Sequence, residues 1–177
     1  MDAALAVADE RGLGAVTMAA VADRVGVTPM ALYRWVDGKA DLTDRLVGRL
    51  LAEIPPPPSD LPWLERLEEL ARGVREVGRR HPSVFPLVLQ HPAVTPEART
   101  VRDLVVATLV EGGVDPARAA QVERLTSTAV LGFVVSEVGG RFRQQRAAQR
   151  DADFALLLAM LRGALHEEAG AGRGGSR

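Results

Sequence analysis

The segment between residues 17 and 39 carries hydroxyl and basic side chains that could act as hydrogen-bond donors. Arg34 is able to make a bidentate contact with a guanine edge, and the hydroxyls of Thr28 and Tyr33 suit phosphate oxygens. Lys39 supplies a point charge of the kind that binds a phosphate. So many donors on one short segment indicate contact with double-stranded DNA.

These donors need a scaffold, and the surrounding pattern predicts two short helices, over 17–24 and 28–35. Gly26 lies between them and can adopt the left-handed backbone of a tight turn. Such a helix-turn-helix presents its second helix to the DNA major groove. The apolar contacts between the two helices are assigned to Val21, Val25, Val27 and Leu32. Trp35 is expected to lie in the core.

Eight residues are predicted to meet DNA: Thr17, Thr28, Pro29, Met30, Ala31, Tyr33, Arg34 and Lys39. Pro29, Met30 and Ala31 could contact thymine methyl groups. Residues 1–54 carry six basic and eight acidic side chains, and the whole chain has a net charge of -1. DNA binding must therefore depend on where the positive charges lie.

Composition disfavours several other functions. The chain has no Cys, which excludes disulfides, thiol catalysis and thiolate metal sites. Three scattered His and the absence of a carboxylate pair at metal-binding spacing argue against an enzyme, so no catalytic residue, metal or cofactor is expected. Neither a signal peptide nor a membrane-spanning apolar run is recognisable, and we expect a cytoplasmic protein.

The whole chain is predicted to be all-α, because strand patterns are missing. Thr28-Pro29, Thr95-Pro96 and Asp115-Pro116 each mark the start of a helix. The proline run at 55–58 divides a DNA-binding domain, 1–54, from an effector-binding and dimerisation domain, 55–169; a disordered tail is expected at 170–177. Further helices are predicted at 2–11, 39–53, 61–80, 83–90, 96–111, 116–140 and 151–168.

A ligand pocket is predicted among the helices at 61–80, 83–90, 96–111 and 116–140. Its candidate lining residues are Trp63, Phe85, Val88, Leu89, Leu104 and Phe133, for each of which plain core packing is an equal alternative. The polar options are His81, Gln90, His91, Thr126 and Glu137. With so few polar groups, the pocket would bind a mainly apolar or aromatic ligand.

The last two helices carry apolar faces that could form a dimer interface or complete a monomeric core. The candidate interface residues are Leu125, Gly132, Ser136, Phe154, Leu158, Leu161 and Leu165. The last four recur at i, i+4, i+7 and i+11, the spacing of one helix face.

The N-terminal pattern resembles the DNA-binding domain of the TetR family of bacterial repressors. The matching residues are Thr17, Val21, Ala22, Val25, Gly26, Val27, Thr28, Leu32, Tyr33, Trp35, Val36, Lys39 and Leu42, preceded by Ala3, Ala4, Leu5, Ala6, Asp9, Gly12 and Leu13. Since Met1 falls inside the family's first helix, the N-terminus is expected to be truncated.

This resemblance implies a homodimer that binds a palindromic operator and is released by a small-molecule effector. It places the residues matching Thr28, Tyr33 and Lys39 on the DNA backbone and those matching Pro29, Met30 and Arg34 toward the bases. The alternative is an all-α small-molecule-binding or scaffolding protein without effective DNA binding.

Overall fold

The computed structural model describes residues 1–90 and 95–174. Within these ranges the chain is helical, with one 3-10 turn at Leu13–Ala15 and no β-strand. The helices are α1 (Asp2–Arg11), α2 (Met18–Val25), α3 (Pro29–Leu32), α4 (Lys39–Leu51), α5 (Trp63–Arg80), α6 (Leu87–Gln90), α7 (Pro96–Glu111), α8 (Pro116–Val138) and α9 (Ala147–Gly174). We call α1–α4 the head and α5–α9 the body. The predicted all-α fold class is confirmed.

Side-chain caps begin the helices where the Thr-Pro and Asp-Pro pairs predict them. The hydroxyl of Thr28 accepts a hydrogen bond from the Ala31 amide at 3.2 Å, and Thr95 caps α7 in the same way. The carboxylate of Asp115 caps α8. In each case Pro occupies the first helical turn, where its missing N–H costs no intrahelical bond.

The head packs around small and branched side chains. Ala4, Ala8 and Ala22 are completely buried, which allows α1 and α2 to approach closely. Gly26 ends α2 with φ 79°, in the left-handed conformation that the turn requires. Leu32 and Val36 complete this core from the third helix and the turn after it.

The prediction that Trp35 lies in the core is wrong. Its side chain is 75% exposed, and Val25 and Val27, assigned to the helix contact, are 54% and 41% exposed. The cause is the early end of α3 at Leu32, after which residues 33–35 form turns. Val36, instead of Trp35, then faces inward.

The body is built on the packing of α5 against α8, with α7 and α9 alongside. Gly78 permits the close approach, because an added Cβ would lie 2.4 Å from a methyl carbon of Val134. Phe85 and Leu109 are completely buried nearby. Residues 55–58 form no helix, and Pro55 lies against Gly73 of α5.

Two expectations about helix ends need correction. Residues 83–86 form turns, so the predicted helix at 83–90 is restricted to α6. The predicted disordered tail is helical as far as residue 174, while 175–177 lie outside the described residues. Ala169 is buried, and the backbone of Gly172 lies so close to Gly113 that an added Cβ would be 2.5 Å from its carbonyl oxygen. This packing supports a glycine-rich segment that propensity alone would leave unfolded.

Candidate nucleic-acid interface and ligand cavity

The residues predicted to meet DNA lie on α3 and at the ends of its neighbours. Thr17 precedes α2, Lys39 opens α4, and the other six belong to α3, its cap and the following turn. All are exposed except Ala31, which is half-buried. Met30 is 76% and Tyr33 is 49% exposed, so the head presents apolar and hydroxyl groups together.

Ion pairs divide the six basic side chains of residues 1–54 into two groups. Three are held by carboxylates: Arg24 pairs with Glu10 at 2.6 Å, Arg45 with Asp41 at 2.9 Å, and Arg49 with Asp2 at 2.6 Å. The remaining three, Arg11, Arg34 and Lys39, have side chains without an ion pair to any described residue. Two of these three belong to the predicted DNA-contacting set.

The carboxylates near α4 are likewise committed to structure. Asp41 accepts hydrogen bonds from the Arg45 guanidinium and from the Asp37 amide at 2.8 Å. The Arg45 bond and, after it, the Asp37 amide hold the pKa of Asp41 below its ordinary value. Asp41 therefore stays charged and fixes the start of α4, which carries Lys39.

Trp35 is a candidate contact residue that sequence reasoning placed elsewhere. Its exposed indole lies two residues beyond Tyr33 and next to Arg34 in the chain. The indole N–H is a donor for a phosphate oxygen and its ring is a surface for apolar groups. Trp35 is exposed, and not in the core as expected, because α3 ends early. The sequence contains no signal for that early end.

The body contains a cavity of about 530 Å³. Its walls are the end of α4, the short helix α6 and the helices α5, α7, α8 and α9. They are mainly apolar, and the aliphatic lining includes Leu51, Ile54, Leu67, Val74, Val88, Val101, Val105, Leu131, Leu158 and Leu165. A volume of this size falls within the range typical of sites for small organic ligands.

A few polar side chains also line the cavity. Glu123 of α8 is 7% exposed, and one of its oxygens accepts a hydrogen bond from Ser127 at 3.0 Å. Glu68 of α5 accepts a hydrogen bond from Arg162 of α9 at 2.6 Å. Thr126, one of the predicted polar options, lines the cavity as well.

Of the six predicted lining residues, the structure places only Val88 at this cavity. Trp63 lies against Gly112, Phe85 is completely buried, Leu89 is 47% exposed and Leu104 is half-buried on α7. Phe133 stacks with Phe142 and Phe154 on another side of α8, at centroid distances of 5.3 Å. Aromatic residues did not predict the lining of the cavity. In the body they pack between helices, and aliphatic side chains form the cavity walls.

Two of the other polar options, Glu137 and His81, are engaged away from the cavity. Glu137 is bound by Arg75 and Arg79, each at 2.8 Å, and His81 lies at the junction of the head and the body. Gln90 is exposed, and His91 lies outside the described residues.

Two family descriptions match the chain. Residues 67–161 match the tetracyclin repressor-like C-terminal domain, and residues 1–46 match the bacterial regulatory proteins of the tetR family. The chain belongs to the TetR family. The TetR resemblance seen in the N-terminal motif is thereby confirmed, and its range now includes most of the body.

One TetR-family relative is the HTH-type transcriptional repressor DrrR1 of Streptomyces coeruleorubidus. It is 31% identical over 163 residues, which are 87% of this chain and 58% of DrrR1. The chain therefore spans less than two thirds of the length of that relative.

Solved structures share the TetR fold over nearly the whole chain. BioQ of Mycobacterium smegmatis is 26% identical with a TM-score of 0.80, covering 94% of this chain and 95% of BioQ. A second BioQ structure, with its double-stranded DNA operator, has 25% identity and a TM-score of 0.78 over 94% of each chain. ActR of Streptomyces coelicolor in complex with actinorhodin has 21% identity and a TM-score of 0.78 over 94% of each chain. ActR, at this identity, shows the fold alone.

The residues predicted for a TetR-type dimer interface separate into two groups. Leu125 is 66% exposed, and Gly132 and Ser136 are half-buried on the same helix, α8. The four predicted α9 residues instead turn into the body: Phe154, Leu158 and Leu165 are buried and Leu161 is half-buried. For these four the alternative of a core within one chain holds, because the 3.6-residue stripe marks the core face of α9. Its exposed face is formed by Ala152, Ala155, Leu156, Ala159, Met160 and Gly163.

His81 joins the head to the body. Its Nδ1 lies 2.8 Å from Asp9 of α1, and its Nε2 lies 2.9 Å from Glu53, just beyond α4. Burial raises the pKa of Glu53, but hydrogen bonds from His81 and Arg80 outweigh it and leave that pKa below its ordinary value. The imidazole, which ends α5, thus contacts carboxylates attached to two helices of the head.

Within residues 1–90 and 95–174, no helix is long and apolar enough to cross a bilayer. The same ranges contain no group of three or more potential His or carboxylate ligands that could hold a metal ion.

Proposed function

We propose that this TetR-family protein is a ligand-responsive transcriptional repressor that binds a palindromic operator as a homodimer. Residues 1–54 bind the operator. Residues 55–169 bind a small apolar or aromatic effector, and binding of the effector releases the protein from the operator. The protein acts in the cytoplasm and catalyses no reaction.

The observation that carries this proposal is the position of α4. Lys39, at its first residue, belongs to the predicted DNA surface, while Leu51, at its last residue, lines the cavity. A helix is stiff over such a length, so a ligand that displaces Leu51 also displaces Lys39 relative to the operator.

Charge placement supports DNA binding despite the acidic composition of the head. Among the described residues, Arg34 and Lys39 have no ion-pair partner from which they must separate before they meet phosphates or bases. Neutralising phosphates releases counterions, which provides most of the affinity and makes it depend on salt. DrrR1 as a repressor and BioQ bound to its operator support the same interpretation.

The outer face of the last two helices supports a homodimer. Leu125 of α8 and Leu156 and Met160 of α9 are each more than 60% exposed. Gly132 and Gly163 have no atom within 4 Å of an added Cβ, so a partner helix could approach both. Apolar and small residues together form a surface suited to a second copy of the chain.

Operator selection tests the proposal. We expect the purified chain to enrich a palindrome from random duplex DNA and to bind one half of that palindrome much more weakly than the whole. The logarithm of the affinity should fall linearly with the logarithm of the salt concentration. Failure to enrich any sequence at low salt would contradict the repressor function.

Two matched variants refine this test. Lys39→Ala should weaken binding to operator and unrelated duplexes alike and reduce the salt slope by about one. Arg24→Ala removes the same charge from a residue already paired with Glu10, and should change the slope little. Fluorescence anisotropy at several salt concentrations measures both. Equal effects of the two variants would count against the assigned DNA surface.

A further inference from the structure

One carboxylate oxygen in the cavity lacks a hydrogen-bond donor. Oε1 of Glu123 accepts the Ser127 hydroxyl at 3.0 Å. Oε2 lies 3.8 Å from the Nε of Arg102, which is an ion-pair distance but too long for a hydrogen bond. No other described side chain donates to it.

The neighbouring polar groups do not supply the missing donor. The hydroxyl of Thr126 donates to the carbonyl oxygens of Val122 and Glu123, at 2.9 and 3.0 Å. The guanidinium of Arg102 is 48% exposed and belongs to a different helix, α7, so it can turn toward water at small cost.

Glu68 provides an internal comparison. It lines the same cavity, but Arg162 donates to it at 2.6 Å and Arg72 lies 3.5 Å away. Its charge is therefore already met by partners on α5 and α9. Glu123 is the acid in this cavity whose second oxygen is available to a ligand.

We propose that the effector is an amphiphilic cation, an apolar aromatic or alicyclic body with a protonated amine whose N–H donates to Oε2 of Glu123. This inference rests on the proposed function, since it specifies the ligand of the same cavity. The aliphatic walls take the apolar body, and the ammonium replaces the long contact from Arg102. A buried carboxylate favours such a ligand because the long ion pair with Arg102, at 3.8 Å and without a hydrogen bond, compensates its charge only in part.

The test uses three probes of similar shape: 4-(aminomethyl)biphenyl, 4-biphenylmethanol and 4-biphenylacetate. Calorimetry on the full chain should show the amine binding at least about tenfold more tightly than the alcohol, and the carboxylate most weakly. Glu123→Gln should abolish the preference for the amine, whereas Glu68→Gln should retain it. Arg102→Gln should strengthen binding of the amine severalfold, because it removes the competing cation.

Equal affinity for amine and alcohol in the wild type, or a preference that persists in Glu123→Gln, would overturn the proposal. Tightest binding of the carboxylate would overturn it as well and would assign the site to the cavity arginines. If Glu123→Gln does not fold, Arg102→Gln decides: an unchanged preference for the amine would refute the pairing.

Operator binding, measured in parallel, distinguishes this failure from failure of the proposed function. If the chain binds its operator but shows no preference for the amine, only the proposed class of ligand is refuted. Absence of binding by all three probes contradicts both the ligand class and the effector role of the cavity.

Discussion

Basic side chains near α3 in the head face solvent, whereas those of the body hold helices together. Arg34 and Lys39 are exposed and unpaired. Arg75, by contrast, is 8% exposed, donates to both oxygens of Glu137 at 2.8 Å and lies 4.5 Å from the centroid of the Phe154 ring. An unpaired cation is available to an external partner, while a buried and paired cation contributes to the fold. The same residue type therefore serves recognition in one region and stability in the other.

Removing Arg75 should produce the largest effect. Arg75→Ala leaves Glu137, whose side chain is 5% exposed, short of its bidentate partner and also removes the contact with Phe154. Arg79 still donates to Glu137 at 2.8 Å, so the loss of unfolding free energy should exceed the roughly 1 kcal/mol of a surface pair but stay below the roughly 3–5 kcal/mol of an uncompensated buried charge. Urea denaturation followed by circular dichroism measures the loss.

Arg72→Ala is the control on the same helix. Arg72 is 49% exposed and pairs with Glu68 and Glu69 at 3.5 and 3.4 Å, so its removal should cost less than about 1 kcal/mol. Similar losses of unfolding free energy in Arg75→Ala and Arg72→Ala would contradict the structural role assigned to Arg75.

Arg34→Ala should have the opposite profile. Stability should change by less than about 0.5 kcal/mol, because the side chain is exposed and unpaired. Base preference should weaken by roughly 1–3 kcal/mol at one position in each half-site, as expected for loss of a bidentate contact with guanine. Competition against duplexes with single-base changes measures this. A uniform loss on every duplex would make Arg34 a backbone contact.

The smallest effect concerns acid pH. Burial raises the pKa of Glu137, but the hydrogen bonds from Arg75 and Arg79 outweigh it, so that pKa lies below its ordinary value. A lowered pKa stabilises the fold above the unfolded value, about 4.3, and this contribution is lost as pH falls through the folded value. The stability difference between the wild type and Glu137→Gln should therefore shrink below about pH 4.

The head supplies the contrast for this pH dependence. The hydrogen bond from Arg24 lowers the pKa of Glu10, but Glu10 is exposed, and screening by solvent weakens that pair. Glu10→Gln should change stability little between pH 7 and pH 3. Urea titrations over this range measure both variants, and a larger pH effect at Glu10 than at Glu137 would be inconsistent with the burial of the body network.

Local signals made the head predictable from its sequence. Thr28, Pro29 and Gly26 each act on the backbone within a few residues, so the caps and the turn followed directly. Trp35 was the exception, because its exposure depends on where α3 ends. That end is determined by tertiary packing of Leu32 and Val36, which the local pattern does not contain.

The body was predictable as helices but not as a cavity. Its walls come from six helices spread along the chain, and a side chain such as Leu158 lines the cavity only because of how α9 lies on α5 and α8. The spacing of Phe154, Leu158 and Leu165 correctly indicated an apolar face but left open whether it met a second copy or the core. The outer face of α9 is rich in Ala and Gly, and such a face gives a weaker hydrophobic pattern in the sequence than a face of Leu and Phe.

The position of His81 has a consequence for how the molecule comes apart. Since its ring contacts Asp9 and Glu53 from the end of α5, the head cannot swing away without leaving two carboxylates and an imidazole to be rehydrated together. The head and the body accordingly form a single cooperative unit, in which loosening one also loosens the other.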